Sequence, residues 1–314
     1  MEPRGSRLAP MADSRRESIP LRHDGLDRPY LLQAPASRGS ARLPLLVELH
    51  GRGIDAAAFD RLTGFGSLAD EAGFALALPS AMSEMWNDGR IRSPKWSVDP
   101  DDIGYLTSVI DDALTRVPID PRRIYVVGMS NGATMAGRIA CDLSGRIAAF
   151  AQVAGTMGVD AAAGCHPARP VPILNIHGTA DDYAPYEGGA RHSLRARVML
   201  RHAAGHSVGV DDWAQFWVAV NGATEGPVLG TLPPDTTIRT WRGPTASSDV
   251  VFYRVEGAGH TWPGSPMPLP AFLFGKTGHA FNATREIWAF LSTHSAAAPP
   301  GDGGRDGAMR SRGR

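Results

Sequence analysis

The stretch from Ile124 to Leu143 constrains the fold of this 314-residue chain more than any other. An apolar run over 124–127 leads directly into Gly128-Met129-Ser130-Asn131-Gly132, and a helical pattern continues over 133–143. This order predicts a buried strand, a sharp turn with a serine at its apex, and a helix. Small residues two positions before and after the serine leave room for neighbouring backbone at such a turn. The stretch therefore predicts a nucleophilic serine presented at the end of a strand.

The rest of the chain alternates predicted strands and helices. Apolar runs predict strands at 45–50, 74–79, 148–153, 171–176 and 250–256, and helical patterns occur at 103–114, 210–220 and 283–294. Several of these strands are apolar throughout, which indicates a mostly parallel sheet covered by helices on both faces. The predicted fold class is α/β, of the α/β-hydrolase type. Active sites of such sheets lie beyond the carboxyl ends of the strands.

One catalytic domain is expected over residues 18–295, with disordered tails at 1–17 and 296–314 that are rich in Arg, Pro, Ser, Ala and Gly. The composition, 43% hydrophobic and 20% charged, suits one large core. Because 32 basic residues balance 32 acidic residues, neither a nucleic acid nor an anionic membrane is expected as a partner. With no apolar span and no signal peptide in the sequence, a cytoplasmic location is expected; secretion stays open if the amino terminus is misassigned or engineered.

Cysteine and histidine spacing gives no metal-binding pattern, so neither a metal nor another cofactor is expected. Cys141 and Cys165 allow at most one disulfide, and two reduced thiols are the simpler expectation. The acidic cluster of Asp99, Asp101 and Asp102 is expected to cap the helix that follows it rather than to hold calcium.

A serine nucleophile at neutral pH needs a histidine base and a carboxylate that orients the imidazole, here in the chain order Ser, acid, His. Asp181 and Asp182 come shortly after the predicted strand at 171–176, and His260 follows the predicted strand at 250–256. The predicted catalytic triad is therefore Ser130, Asp181 and His260, with Asp182 as the alternative acid.

Cleavage of an ester also needs backbone N–H donors for the tetrahedral oxyanion. One is expected from Asn131 and the other from Arg52, with Gly51 and Gly53 as alternatives to Arg52. Trp86 and Trp262 lie near predicted strand ends, where aromatic rings either line a substrate pocket or pack in the core.

These motifs resemble those of the esterases grouped with polyhydroxybutyrate depolymerases, which include feruloyl and acetylxylan esterases. The resemblance covers nearly the whole core, through residues 23–30, 49–51, 86–89, 101–106, 128–132, 177–181, 259–264 and 287–290. In that family the triad acid stands four residues after the His of a His-Gly-Thr-Ala motif, a position that Asp181 occupies here. Family members often have Gly in place of Ala133, Pro in place of Asp182, and cysteines where this chain has residues 90–93. These departures concern the substrate pocket and leave the triad intact.

The sequence thus predicts a serine esterase that hydrolyses carboxylic esters through an acyl-enzyme, acting on 3-hydroxyalkanoate oligomers or on small acyl or aryl esters. A feruloyl or acetylxylan esterase is the main alternative, and a peptidase is a further one. A non-catalytic, hydrolase-like binding protein is a hypothesis of another class, which the presence of all three triad residue types disfavours. The expected partner is a small or oligomeric ester.

Overall fold

In the computed structural model, which describes residues 15–35, 41–90, 93–189 and 206–296, ten strands form one continuous sheet and two short strands form a separate hairpin. In chain order the strands are β1 (Arg15–Ile19), β2 (Arg22–His23), β3 (Leu26–Asp27), β4 (Tyr30–Ala34), β5 (Leu43–Leu49), β6 (Ala75–Pro79), β7 (Ile119–Met129), β8 (Ala149–Val153), β9 (Ile173–Gly178), β10 (Glu225–Leu232), β11 (Thr236–Arg242) and β12 (Val250–Val255). The helices are α1 (Ala56–Thr63), α2 (Phe65–Ala72), α3 (Asp102–Arg116), α4 (Asn131–Asp142), α5 (Val159–Ala163), α6 (Val210–Asn221), α7 (Ala271–Phe274) and α8 (Ala283–Leu291), and short 3-10 turns lie at Met82–Glu84 and Ala246–Ser248.

The centre of the sheet is parallel and its two edges are antiparallel. The strand order is β1-β4-β6-β5-β7-β8-β9-β12-β11-β10, and the six strands from β6 to β12 pair in parallel. The strands β1 and β4 form one antiparallel edge, and β11 and β10 form the other. The parallel arrangement places the carboxyl ends of β5, β7, β9 and β12 at one edge of the sheet, where the predicted functional residues follow them.

Helices cover both faces of this sheet. Every residue of β5, β6, β8 and β9 is buried, as expected for strands enclosed on two sides. One apolar cluster packs the sheet against α3, α4 and α6, and a second cluster packs the opposite face against α1, α2 and α8. The predicted fold class, a mostly parallel sheet with helices on both faces, is confirmed.

The edges of the sheet were not predicted from the sequence. β10 is exposed along nearly its whole length and β11 is mostly half-buried, so neither shows the continuous apolar run that identified the central strands. β1 begins at Arg15 and pairs with β4, so residues 15–17, which were expected in the first tail, belong to the sheet. Ala296, expected in the second tail, is buried and its N–H donates to the carbonyl of Arg122. The remaining residues of both expected tails, 1–14 and 297–314, lie outside the described residues.

No helix within the described ranges combines the length and apolar character that a membrane crossing requires.

Cys141, near the end of α4, and Cys165, just after α5, form a disulfide bond. Their Cα atoms are 5.1 Å apart, within the usual range for a bridge, and both residues are buried. The expectation of two reduced thiols is therefore wrong. Sequence spacing alone could not reveal the pair, because the two cysteines meet only when α4 and α5 pack on the same side of the sheet.

Replacement of both cysteines, Cys141→Ser with Cys165→Ser, is expected to lower the free energy of unfolding by about 3 kcal/mol, because the bridge closes a loop of 24 residues in the unfolded chain. Urea denaturation followed by tryptophan fluorescence measures this difference. Wild-type protein treated with dithiothreitol is the matched control and should unfold at the same urea concentration as the variant. Alkylation of both cysteines in denatured but unreduced wild-type protein would contradict the pairing.

Candidate active site

Ser130 occupies the single position between β7 and α4. Its backbone angles are φ 57° and ψ −117°, in the positive-φ region that residues other than glycine rarely adopt. The N–H of Ser130 donates to the carbonyl of Val153 on the neighbouring strand, and its carbonyl accepts from Thr134 in α4. The sharp strand-to-helix turn predicted from the sequence is therefore present, with the serine at its apex.

Glycines allow backbone to pass close to this turn. A Cβ atom at Gly128 would collide with the carbonyl of Gly132, and one at Gly132 would collide with the carbonyl of Leu49 in β5. A Cβ atom at Gly155 would come within 2.8 Å of the Ser130 carbonyl oxygen. Any larger residue at these positions would push β7, α4 and the loop after β8 apart, and the position of Ser130 would change with them.

Asp181 and His260 meet across the ends of two adjacent strands. Asp181 stands three residues beyond β9 and His260 five residues beyond β12. The Nδ1 atom of His260 lies 2.8 Å from Oδ2 of Asp181, and both side chains are buried. The parallel pairing of β9 with β12 brings these loops together, although 79 residues separate the two in the chain.

The Asp181 carboxylate is held from several sides. Its Oδ1 atom accepts hydrogen bonds of 2.8 Å from the N–H groups of both Tyr183 and Ala184. Burial alone would raise the pKa of Asp181, but the charge and the hydrogen bond of His260 outweigh burial, so the pKa of this carboxyl lies below its ordinary value. Asp181 is therefore an ionised acceptor at neutral pH. Asp182, in contrast, is exposed on the surface.

His177 is a second imidazole beside Asp181, and the sequence reasoning did not assign it a role. Its Nε2 atom lies 2.8 Å from the carbonyl oxygen of Ala184 and 3.6 Å from Oδ2 of Asp181. Burial lowers the pKa of His177, so the ring is neutral and its Nε2–H donates to the carbonyl. This bond fixes the turn whose N–H groups hold Asp181. The signal in the sequence was the histidine that begins the motif His177-Gly178-Thr179-Ala180-Asp181.

Ser130 and His260 line the same cavity, whose volume is about 270 Å³. Among the described residues, the lining consists of Gly51, Arg52, Gly53, Ile54, Phe59, Leu62, Met129, Ser130, His260, Leu269 and Phe274. No hydrogen bond joins Ser130 to His260 among the described residues; catalytic hydrogen bonds of this kind often close only when substrate is bound. Most of the lining is apolar, which suits the hydrocarbon part of a ligand.

The loop after β5 passes directly beside the serine. A Cβ atom at Gly51 would lie 3.6 Å from the Cβ atom of Ser130. The N–H of Gly53 donates to the carbonyl of Glu84 and is therefore occupied. In the described part of the chain the N–H groups of Gly51 and Arg52 donate to no backbone carbonyl and are available to bind an oxyanion. This geometry therefore disfavours Gly53 as an oxyanion donor.

His50 anchors this loop. The N–H of Ala81 donates to His50 Nε2 at 3.0 Å, so the ring proton is on Nδ1, which donates to the carbonyl of Gly51 at 2.8 Å. Burial lowers the pKa of His50 and keeps the ring neutral, which this pair of contacts requires.

The side chain of Asn131 has a structural role that the motif alone did not reveal. Its Oδ1 atom accepts from the N–H of Trp86 at 2.7 Å, and its Nδ2 donates to the carbonyl of Trp86 at 3.1 Å and to Oδ2 of Asp88 at 2.6 Å. These bonds attach the loop at residues 86–88 to the first turn of α4. The backbone N–H of Asn131 belongs to the open amino-terminal turn of that helix.

Neither Trp86 nor Trp262 is among the residues that line the cavity. Trp86 is fully buried and its Nε1–H donates to the carbonyl of His50 at 2.9 Å. The Nε1–H of Trp262 donates to Thr284 Oγ1, and its ring meets the rings of Phe59 and Phe65 edge to face. Their burial favours core packing, one of the two roles expected for these tryptophans, and both pack against the loops that form the cavity.

One surface cluster has the composition of a metal site. Candidate ligand atoms of His23, Asp24 and Asp101 lie within 4.8 Å of one another. Asp101 is the N-cap of α3, where its Oδ1 accepts from the N–H of Gly104 at 2.9 Å, and its Oδ2 lies 3.2 Å from His23 Nε2. This confirms the predicted cap at Asp101. Asp102 instead forms a buried ion pair with Arg28 at 2.6 Å.

Comparison with known proteins agrees with this architecture. A sequence family described as "Esterase PHB depolymerase" matches residues 28–169, which include the elbow at Ser130. The protein named "Putative esterase NocK", from Nocardia uniformis subsp. tsuyamanensis, is 29% identical over 296 residues, which span 90% of this chain and 84% of that relative. Feruloyl esterase B from Piromyces equi is 28% identical over 228 residues, 71% of this chain but only 40% of the relative's length.

Solved structures share the fold at low sequence identity. The acetyl xylan esterase from Aspergillus awamori superimposes with a TM-score of 0.56 at 11% identity, covering 88% of this chain and 99% of that protein. The structure titled "pOPH Native" superimposes with a TM-score of 0.52 at 16% identity, covering 95% of this chain and 91% of that one. The family match, the esterase relatives and the shared fold agree with the resemblance seen in the motifs. Residues 28–169 are similar to the polyhydroxybutyrate depolymerase family of esterases, the fold is that of α/β-hydrolase esterases, and the chain is a carboxylic ester hydrolase.

Proposed function

We propose that the chain is a serine esterase in which Ser130 attacks the ester carbonyl, His260 transfers protons and Asp181 orients the imidazole. The observation that carries this proposal is the 2.8 Å contact between His260 Nδ1 and the buried Asp181 carboxylate, beside a cavity that Ser130 shares with His260. Donation of the Nδ1 proton to Asp181 leaves Nε2 of His260 as the free acceptor for the serine proton.

The reaction proceeds in two steps. As the Ser130 hydroxyl attacks, its proton moves to His260 Nε2, and His260 then gives this proton to the leaving alcohol, which yields an acyl-enzyme. Water next attacks the acyl group, with the same imidazole acting first as base and then as acid. The ionised Asp181 stabilises the imidazolium that forms in each step and holds its ring in place.

The oxyanion of each tetrahedral intermediate is proposed to bind the backbone N–H groups of Asn131 and Arg52. Support for Asn131 comes from its place in the first turn of α4, where N–H groups have no partner within the helix. Support for Arg52 comes from its uncommitted N–H and from the closeness of Gly51 to Ser130. Removing one such donor raises the barrier by about 3 kcal/mol in serine hydrolases.

The proposed substrates are 3-hydroxyalkanoate oligomers or small acyl or aryl esters. The apolar lining of the cavity favours a short hydrocarbon group, and its volume of about 270 Å³ suits a small one. A feruloyl or acetylxylan ester is the second candidate, because Phe59 and Phe274 place aromatic rings in the lining and relatives carry these activities in their names.

A substrate panel tests the proposed function. We expect purified protein to hydrolyse p-nitrophenyl acetate and butyrate together with soluble 3-hydroxybutyrate oligomers, and methyl ferulate is included for the second candidate. A dipeptide p-nitroanilide tests the peptidase alternative. Absence of hydrolysis of every ester by folded protein would overturn the proposal and favour a non-catalytic binding protein.

The disulfide supports an oxidising compartment as the place where the protein works, and it argues against the cytoplasmic location expected from the sequence. Trapping of thiols in intact producing cells, followed by mass spectrometry, would show the bridge present if this is correct and both cysteines alkylated if it is not.

Ser130→Ala and His260→Ala are each expected to lower kcat by at least about 1,000-fold, since each removes a member of one cooperative unit. The double variant should be little worse than either single variant. Initial rates with p-nitrophenyl butyrate measure the effect, and thermal unfolding checks that the fold is retained. A Ser130→Ala protein with a tenth of the parent's activity would rule out this nucleophile.

The two neighbouring acids provide a matched pair. Asp181→Asn is expected to lower kcat by about 10,000-fold, because an amide neither holds the imidazole in the required tautomer nor stabilises its positive charge. Asp182→Asn changes an exposed side chain and should stay within about threefold of the parent. Kinetics with the same nitrophenyl ester, together with circular dichroism melting curves, distinguish the two. Inactivity of Asp182→Asn with Asp181→Asn fully active would reverse the assignment of the acid.

A further inference from the structure

Among the described residues that line the cavity, Arg52 is the one whose side chain carries a permanent charge. It lines the cavity together with Ser130 and His260, and the neighbouring lining residues Ile54, Phe59 and Leu269 are apolar. Arg52 is half-buried, and burial lowers the pKa of its guanidinium because the surroundings solvate the charge poorly. A charge next to an apolar cavity is unfavourable in the free protein unless an anionic group pairs with it.

Within the described part of the chain the Arg52 guanidinium makes no hydrogen bond and no ion pair. The other buried or half-buried guanidinium groups in the described ranges have partners. Arg16 binds Asp60, Arg28 binds Asp102, Arg90 binds Asp88, and Arg169 binds backbone carbonyl groups. A half-buried charge without a partner costs free energy in the unliganded protein, and that cost is recovered when an anion binds.

Asp88 is the carboxylate whose charge acts on Arg52, but its oxygens are already occupied. Its Oδ2 accepts from Nε of Arg90 at 3.0 Å, from a terminal nitrogen of Arg90 at 2.6 Å and from Nδ2 of Asn131 at 2.6 Å. Its Oδ1 accepts from the N–H of Arg90 at 3.0 Å. Since Asp88 neutralises one guanidinium, Arg52 leaves an excess positive charge beside the cavity.

From an unpaired guanidinium carried by a residue of the mostly apolar cavity lining, we propose that Arg52 recognises a free carboxylate on the ester substrate. The guanidinium fork matches a carboxylate with two parallel hydrogen bonds, which a neutral ester group cannot form equally well. The preferred substrates are therefore esters that also carry a carboxylate close to the scissile bond, such as short 3-hydroxyalkanoate oligomers with a free acid end. This inference rests on the proposed function and narrows its substrate class.

The test compares the dimer of 3-hydroxybutyrate as the free acid with the methyl ester of the same dimer. Cleavage of the bond between the two units is followed by chromatography, and kcat/KM is determined for each substrate. Wild-type protein should favour the free acid, and Arg52→Gln should reduce this preference by about 10- to 100-fold, the range of a charge-assisted hydrogen bond. Arg52→Lys should retain part of the preference, because a lysine keeps the charge without the fork.

The readout is the ratio of kcat/KM for the free acid to kcat/KM for the methyl ester, because Arg52 also contributes a proposed oxyanion N–H. A disturbance of the backbone at Arg52 would lower kcat/KM for both substrates by the same factor and leave the ratio unchanged. Arg61→Gln is the matched control: it removes an exposed arginine of α1 that makes no ion pair in the described structure, and it should keep the wild-type ratio.

Three outcomes would overturn the inference: equal kcat/KM for acid and methyl ester in wild-type protein, an unchanged ratio in Arg52→Gln, or no cleavage of either dimer. Hydrolysis of p-nitrophenyl butyrate by wild-type protein and its loss in Ser130→Ala are measured in parallel. If that activity is present while the carboxylate preference is absent, the serine esterase proposal stands and the role of Arg52 fails. If no ester at all is hydrolysed, the proposed function itself fails.

Discussion

The positive-φ backbone of Ser130 is the constraint on which the site geometry depends. A non-glycine residue at φ 57° and ψ −117° costs about 1–3 kcal/mol and persists only where its surroundings hold it. Here β7 delivers the serine and α4 continues immediately after it, while Gly128, Gly132 and Gly155 let backbone from β5 and β8 approach without a clash. This turn conformation presents the hydroxyl beyond the ends of the strands. It also places beside the hydroxyl the N–H groups of the first turn of α4, which have no partner within the helix. One local conformation thus sets the positions of the proposed nucleophile and of one proposed oxyanion donor.

The other half of the site is built on a different pair of strands and is fixed independently. The parallel pairing of β9 with β12 sets the distance between the Asp181 and His260 loops. His260 is further held by its N–H bond to the carbonyl of Phe274 and by the ring of Tyr183, whose centroid lies 5.2 Å from that of the imidazole. Phe274 also lines the cavity, so the segment that forms the pocket wall also positions His260, the proposed base. Any change of substrate specificity made in α7 is therefore coupled to the orientation of the imidazole.

The parts of this arrangement that sequence reasoning could predict are those with a local signature. The central strands, such as β5 and β9, are apolar throughout, and the elbow combines a strand, a motif and a helix within twenty residues, whereas the edge strand β10 is exposed and lacks such a signal. The sequence around Trp86 does not indicate whether its ring faces a ligand or packs in the core. The hydrogen bond from its Nε1–H to the carbonyl of His50, visible only in the structure, favours core packing. The disulfide and the unpaired guanidinium of Arg52 depend on tertiary contacts, so neither could be read from spacing.

The central claim is that one serine, activated by a histidine and an aspartate from other strands, forms a covalent intermediate. Its most direct test is treatment of the folded protein with a fluorophosphonate, followed by peptide mass spectrometry of the modified site. Stoichiometric modification confined to Ser130 is expected, and the His260→Ala variant should react with the same reagent slowly or not at all. Esterase activity that survives complete modification of Ser130, or a covalent adduct on a different serine, would contradict this mechanism.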